Sequence, residues 1–178
     1  RWFMNTTILK ITKFLLCLLF ILTIMFVINF FVINSKLSEN YMPYKAPEVA
    51  YIEYDITRPP NIDYQTLTDD INQMFDNPSY TLTFTDFSGT TKGECYMFTK
   101  TIVLQENMTY EYYVFCLTHE LVHLTEFTYS ERYTNLTAFY TLYNSENEYF
   151  KNIALYFANL DLRGIFSEEY SFVGYIEL

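Results

Sequence analysis

Histidine is nearly absent from this sequence: two in 178 residues, at positions 119 and 123. A metal centre with three imidazoles is excluded, and any site that uses two must use this pair. Basic residues are few as well, 11 Lys and Arg against 21 Asp and Glu, and the net charge is −10. Every acidic residue lies after position 33, accompanied there by only eight Lys and Arg. Nucleic acid and anionic lipid both reward clustered Lys and Arg, so this balance argues against either as a partner. Cysteine occurs three times. Cys17 sits in an apolar run, whereas Cys95 and Cys116 could pair in an oxidising compartment. Cys116 stands three residues before His119, and for it a buried thiol is a safer reading than a metal ligand. No internal repeat or low-complexity tract is evident.

What is present begins with an apolar stretch. Phe14 to Ile33 covers 20 positions without a charge, and only Thr23 and Asn29 in it are appreciably polar. At about 1.5 Å per residue that is about 30 Å of helix, the thickness of a bilayer core. It is longer than a signal-peptide core, and no small-x-small cleavage signal follows. A single-pass transmembrane anchor is therefore expected. Arg1, Lys10 and Lys13 before it, against Lys36 and Lys45 after it, place the following domain outside the cytoplasm by the positive-inside rule. The expected organisation is an N-terminal segment and anchor over 1–34, a proline-bearing extended stalk over 35–60, and an α+β domain over 61–178.

Periodicity sketches that domain. Val49 to Tyr54 reads as a short strand. Leu67, Ile71 and Met74 give a helix over 64–76, stopped by Asn77-Pro78. Tyr80 to Thr85 alternates as a strand, and Glu94 to Gln105 reads as a second, longer one. Its free edge would suit an extended peptide. Thr109 caps a helix running to about Glu126, with Leu117, Leu121 and Leu124 on its core side. Thr128-Tyr-Ser-Glu131 and Ser145-Glu-Asn-Glu148 fit capping boxes for two more helices. Residues 165–178 read as an aromatic, acidic tail.

The helix capped by Thr109 carries His119-Glu120-Leu121-Val122-His123. Residues four apart on a helix share a face, so both imidazoles can reach one ion. Glu120 beside them can take a proton from metal-bound water. A catalytic zinc takes three protein ligands and keeps one position open. With no third histidine, a carboxylate must complete the set, from among Glu126, Glu131, Glu146 and Glu148. Glu126 lies too far along the helix axis. Glu131 and Glu148 each have an asparagine one turn later, Asn135 and Asn152, able to accept from a ligating histidine. Each also has a rival role in its capping box.

The motif, with Glu131-x-x-x-Asn135 downstream, looks like the gluzincin metallopeptidases. Residues 117 to 139 are similar to an uncharacterised bacterial family of membrane-anchored zincin-like proteins, through His119, Glu120, His123, Phe127, Glu131, Asn135, Ala138 and Phe139. The resemblance implies a small zincin-like domain with Zn2+ held by His119, His123 and Glu131. Asn135 would stand behind a ligand, with Glu148 as the alternative carboxylate. It further implies a membrane-anchored peptidase in which Glu120 is the general base and the substrate is a peptide or protein. The alternative is a non-catalytic, zinc-stabilised tethered scaffold or degenerate peptidase.

Overall fold

The computed structural model describes residues 12–28, 51–167 and 170–176. Helix α1 covers 12–28 and is exposed throughout. Among the described residues no helix is long and apolar enough to cross a membrane. The described part of helix α1 has about 17 residues, or about 25 Å of rise, against the roughly 30 Å that a span requires. The expected transmembrane anchor, and the membrane location and orientation built on it, are corrected accordingly. Positions 29–33 of the apolar run and 34–50 of the expected stalk lie outside the described residues.

The remainder is α+β. Its elements are α2 (Tyr64–Met74), β1 (Thr81–Thr85), β2 (Gly93–Tyr96), β3 (Thr101–Gln105), α3 (Tyr110–Glu126), α4 (Glu131–Tyr143) and α5 (Glu148–Leu162), then a 3-10 turn, Val173–Tyr175. The long second strand of the sequence reading is two strands. Lys100 takes a left-handed conformation (φ 51°) and its N–H bonds the Met97 carbonyl, which turns the chain into a hairpin. The sheet order is β1-β3-β2, with β1 parallel and β2 antiparallel to β3. The strand that feeds the motif helix is therefore central, and β2 is an edge.

Helix α3 is the hub, touching α2, α4, α5, β2 and β3. Ile102 and Leu104 of β3 and Val114, Leu117 and Leu121 of α3 are fully buried. Removing one such Leu would cost about 2–5 kcal/mol. Thr109 caps α3 as expected, and at the other end Phe127 is left-handed (φ 50°, ψ 40°). That conformation is costly for a residue with a Cβ, by about 1–2 kcal/mol, and it ends the helix without glycine. The capping boxes are displaced: Ser130 caps α4 and Asn147 caps α5. Glu131 is thus the first residue of its helix, and the cap is made without its carboxylate.

Two segments read as peripheral are integral. Residues 51–57 form no strand, because their partners are side-chain amides of α5 rather than another backbone. Asn159 accepts from Ile52 N and donates to its carbonyl (2.9 and 2.7 Å), and Asn152 accepts from Asp55 N (2.8 Å). Residues 170–176 are no loose tail, since the Phe172 ring is fully buried in the core.

Arg58 reaches Glu111 of α3 with two hydrogen bonds (2.8 and 3.1 Å), and the Tyr149 hydroxyl adds a third (3.0 Å). Burial alone would raise the Glu111 carboxyl, but these donors outweigh it and hold it at about 2, below the ordinary 4.5. A depressed carboxylate stabilises the fold above its unfolded value and loses that contribution as pH falls through the folded one. Glu111→Gln should lower the melting temperature by several degrees at pH 7. The gap between variant and wild type should close between about pH 4.5 and 2, as read by thermal melts across that range.

Candidate metal centre

Helix α3 turns two faces in two directions. Leu117, Leu121 and Leu124 pack into the core. Tyr112, Cys116, His119 and His123, at three- and four-residue steps, line a cleft of about 1010 Å³. The edge strand β2 lines the cleft, as do Ile165, Ser167 and Tyr170.

His119, Glu120 and His123 each offer a ligand atom, all within 4.8 Å of one another, so the cluster is close enough to bind a metal ion. The two Nε2 atoms are 3.0 Å apart. Their other nitrogens fix the tautomers. His119 Nδ1 lies 2.8 Å from Asn135 Oδ1, and His123 Nδ1 lies 2.7 Å from the Thr128 carbonyl. Both of those oxygens only accept, so each Nδ1 carries the proton and each Nε2 presents a lone pair. Glu131 adds a third acceptor, with Oε2 3.1 Å from His119 Nε2 and 3.6 Å from His123 Nε2.

Three acceptors facing one another need a cation or an added proton between them. Tetrahedral zinc with bonds of about 2.0–2.1 Å sets its ligand atoms about 3.3 Å apart, and the three measured edges bracket that value. A circle through the three atoms has a radius of about 1.9 Å, just under one such bond length. The residues fit a three-ligand ion with an open position.

The electrostatics follow from these contacts. Burial works to raise Glu131, but the two imidazoles, which donate to it from Nε2 once protonated, prevail and hold it at about 2. Burial works to lower His123, yet Glu131 outweighs it and raises its affinity for a proton. Glu120 is nearly fully buried, and that burial raises its carboxyl against the pull of the two histidines. Cys95 and Cys116 are free thiols. Burial, then the Glu120 charge, pushes Cys95 up to about 12 and Cys116 upward as well, so neither is a thiolate at neutral pH.

Of the residues singled out from sequence, His119, Glu120, His123, Glu131 and Asn135 come together here. Glu148 does not. It opens α5, lines no part of the cleft, and accepts from Asn152 Nδ2 at 3.3 Å. Glu126 accepts from the Tyr133 hydroxyl at 3.5 Å.

Sequence reasoning missed three participants. The Thr128 carbonyl and the Tyr170 carbonyl, which accepts from Asn135 Nδ2 at 2.7 Å, are main-chain groups with no residue signature. The third, Gly93, starts β2 directly over Glu120, and a Cβ there would lie 2.5 Å from Glu120 Oε1. A lone glycine entering a strand marks such close approach, and that cue was readable.

Compared with family models, with curated proteins and with solved structures, the chain matches none.

Proposed function

We propose that this chain is a zinc-dependent metallopeptidase of the gluzincin type, with His119, His123 and Glu131 holding the ion and Glu120 as general base. The observation that carries the reading is the convergence of three acceptor atoms beside a buried carboxylate that is not needed for binding. A bound zinc would supply Lewis-acid chemistry, bringing a water's pKa toward 7 and polarising a carbonyl.

The chain's own residues would do the rest. Asn135 and the Thr128 carbonyl keep both Nε2 lone pairs turned inward. Glu120, made more basic by burial, takes the proton of the attacking water on a carboxylate oxygen and passes it to the leaving amine. Among the described residues strand β2 pairs only with β3, and it lines the cleft, so its outer edge is available to an extended peptide. That role, expected of the strand entering the motif helix, falls to β2 because β3 is paired on both sides.

The first test is metal content coupled to cleavage. The full chain should bind one zinc at neutral pH and cut unstructured peptides only when loaded. Absence of bound zinc would overturn the reading. A second result should follow from Gly93. Gly93→Ala forces the Glu120 carboxylate aside, so kcat should fall by about 10²-fold, the cost of misplacing a reacting group by about 1 Å. Zinc affinity, measured by chelator competition, should not change.

A further inference from the structure

Asn135 is almost fully buried on α4, and its side-chain amide has two orientations of nearly the same shape. With Oδ1 toward His119, the imidazole proton sits on Nδ1 and Nε2 is free to bind. With Nδ2 there, Nδ1 must accept, and the proton moves to Nε2, the atom that has to coordinate. The choice is made by what lies on the far side of the amide. That is the Tyr170 carbonyl, 2.7 Å from Nδ2, which can only accept.

The Tyr170 carbonyl is in turn held from several directions. Asp161 Oδ2, on α5, accepts from Phe172 N (2.7 Å) and Val173 N (2.6 Å). Arg132 Nε donates to the Ser171 carbonyl (3.1 Å). The Phe172 ring is buried among Phe115, Phe139 and Phe166, at centroid distances of 6.3, 5.7 and 6.1 Å. Asp161 itself is buried and lines no part of the cleft.

We propose that the segment Tyr170–Tyr175, pinned by Asp161, is a positioning element of the metal centre: its carbonyl orients Asn135, and Asn135 orients His119. The inference rests on the zinc reading above and adds a determinant of affinity on a helix that carries no ligand. Outer hydrogen-bond partners of metal ligands are worth about 10–100-fold in metal affinity. Asp161 acts one link further out, so the effect belongs at the lower end of that range.

The experiment compares zinc dissociation constants of the full-length chain, Asp161→Ala and Asn159→Ala by competition with a chromophoric chelator, with melting of each metal-free protein alongside. Asn159 is the control: it too is a buried side chain on α5, and its bonds go to Ile52 and the Leu155 carbonyl, neither of which lines the cleft. Asp161→Ala should weaken zinc binding about tenfold. Asn159→Ala should lower the melting temperature and leave zinc binding within about twofold of wild type, because a larger loss requires a link to a ligand. If Asp161→Ala does not fold, Asp161→Asn, which weakens both N–H contacts while keeping the shape, should itself weaken zinc binding by more than the roughly twofold allowed to Asn159→Ala. Unchanged affinity in the Asp161 variant, or equal weakening in both, would overturn the inference alone. A wild-type chain that binds no zinc would overturn the zinc reading and this inference with it.

Discussion

Glu120→Gln should leave zinc bound and reduce kcat/KM for peptide cleavage by about 10³-fold, within the roughly 10²–10⁴ range of general-base catalysis. The amide keeps nearly the shape of the carboxylate, so the contact with Gly93 and the packing beneath β2 persist. What it loses is the ability to accept a proton. Glu120 is buried, and the carboxylate that lines the cleft outside the histidine–Glu131 cluster, Glu94, is engaged by the Tyr96 hydroxyl at 2.6 Å. The measurement is a pair of assays on one preparation: zinc stoichiometry, and steady-state cleavage of an unstructured peptide. A variant that still cleaves would move the activity away from this carboxylate. A wild type that binds zinc without cleaving any peptide would favour the non-catalytic scaffold, for which Glu120 is dispensable.

Glu131→Ala should weaken zinc binding by more than about 100-fold, exceeding what the loss of an outer hydrogen-bond partner does. Glu148→Ala should leave it unchanged. The contrast follows from position. Glu131 Oε2 is 3.1 and 3.6 Å from the two Nε2 atoms, whereas Glu148 is engaged by Asn152 on α5. The same difference should appear in melting curves. Zinc at about a hundred times its dissociation constant stabilises the fold by about 2.7 kcal/mol. For a chain of this size that raises the melting temperature by roughly 5–10 °C. Wild type and Glu148→Ala should show the rise and lose it on adding chelator; Glu131→Ala should show none at the same zinc concentration. Equal behaviour of the two glutamate variants would remove Glu131 from the ligand set.

The parts of the site that were legible in the sequence are those written in side chains at helical spacing. His119, Glu120 and His123 share a helix, and one turn of α4 separates Glu131 from Asn135, so two local rules assembled most of the cluster. The competition between ligand and capping roles for Glu131 could not be decided from the capping-box pattern. It turned on Ser130, one residue away, becoming the cap. The hairpin between β2 and β3 was hidden because its left-handed residue is Lys100 rather than glycine or asparagine. The sheet order was hidden too, since alternation within a strand says nothing about which neighbours it takes. Carbonyls that orient the two histidines are invisible in any sequence, because every residue has one. The apolar run at the N-terminus shows the reverse error: a composition that satisfies a length rule, in a chain whose described helix there falls short of it.

The amide clasp between residues 51–57 and α5 has a mechanical consequence. Tension applied to the chain from its N-terminal side meets the bonds of Ile52 and Asp55 to Asn159 and Asn152 first, and the Arg58–Glu111 fork next. These must rupture before the force reaches α2 or the sheet. Until they rupture, the load passes to α5 and, through Glu111, to the first turn of α3, so the leading end is coupled to the helix that carries both histidines.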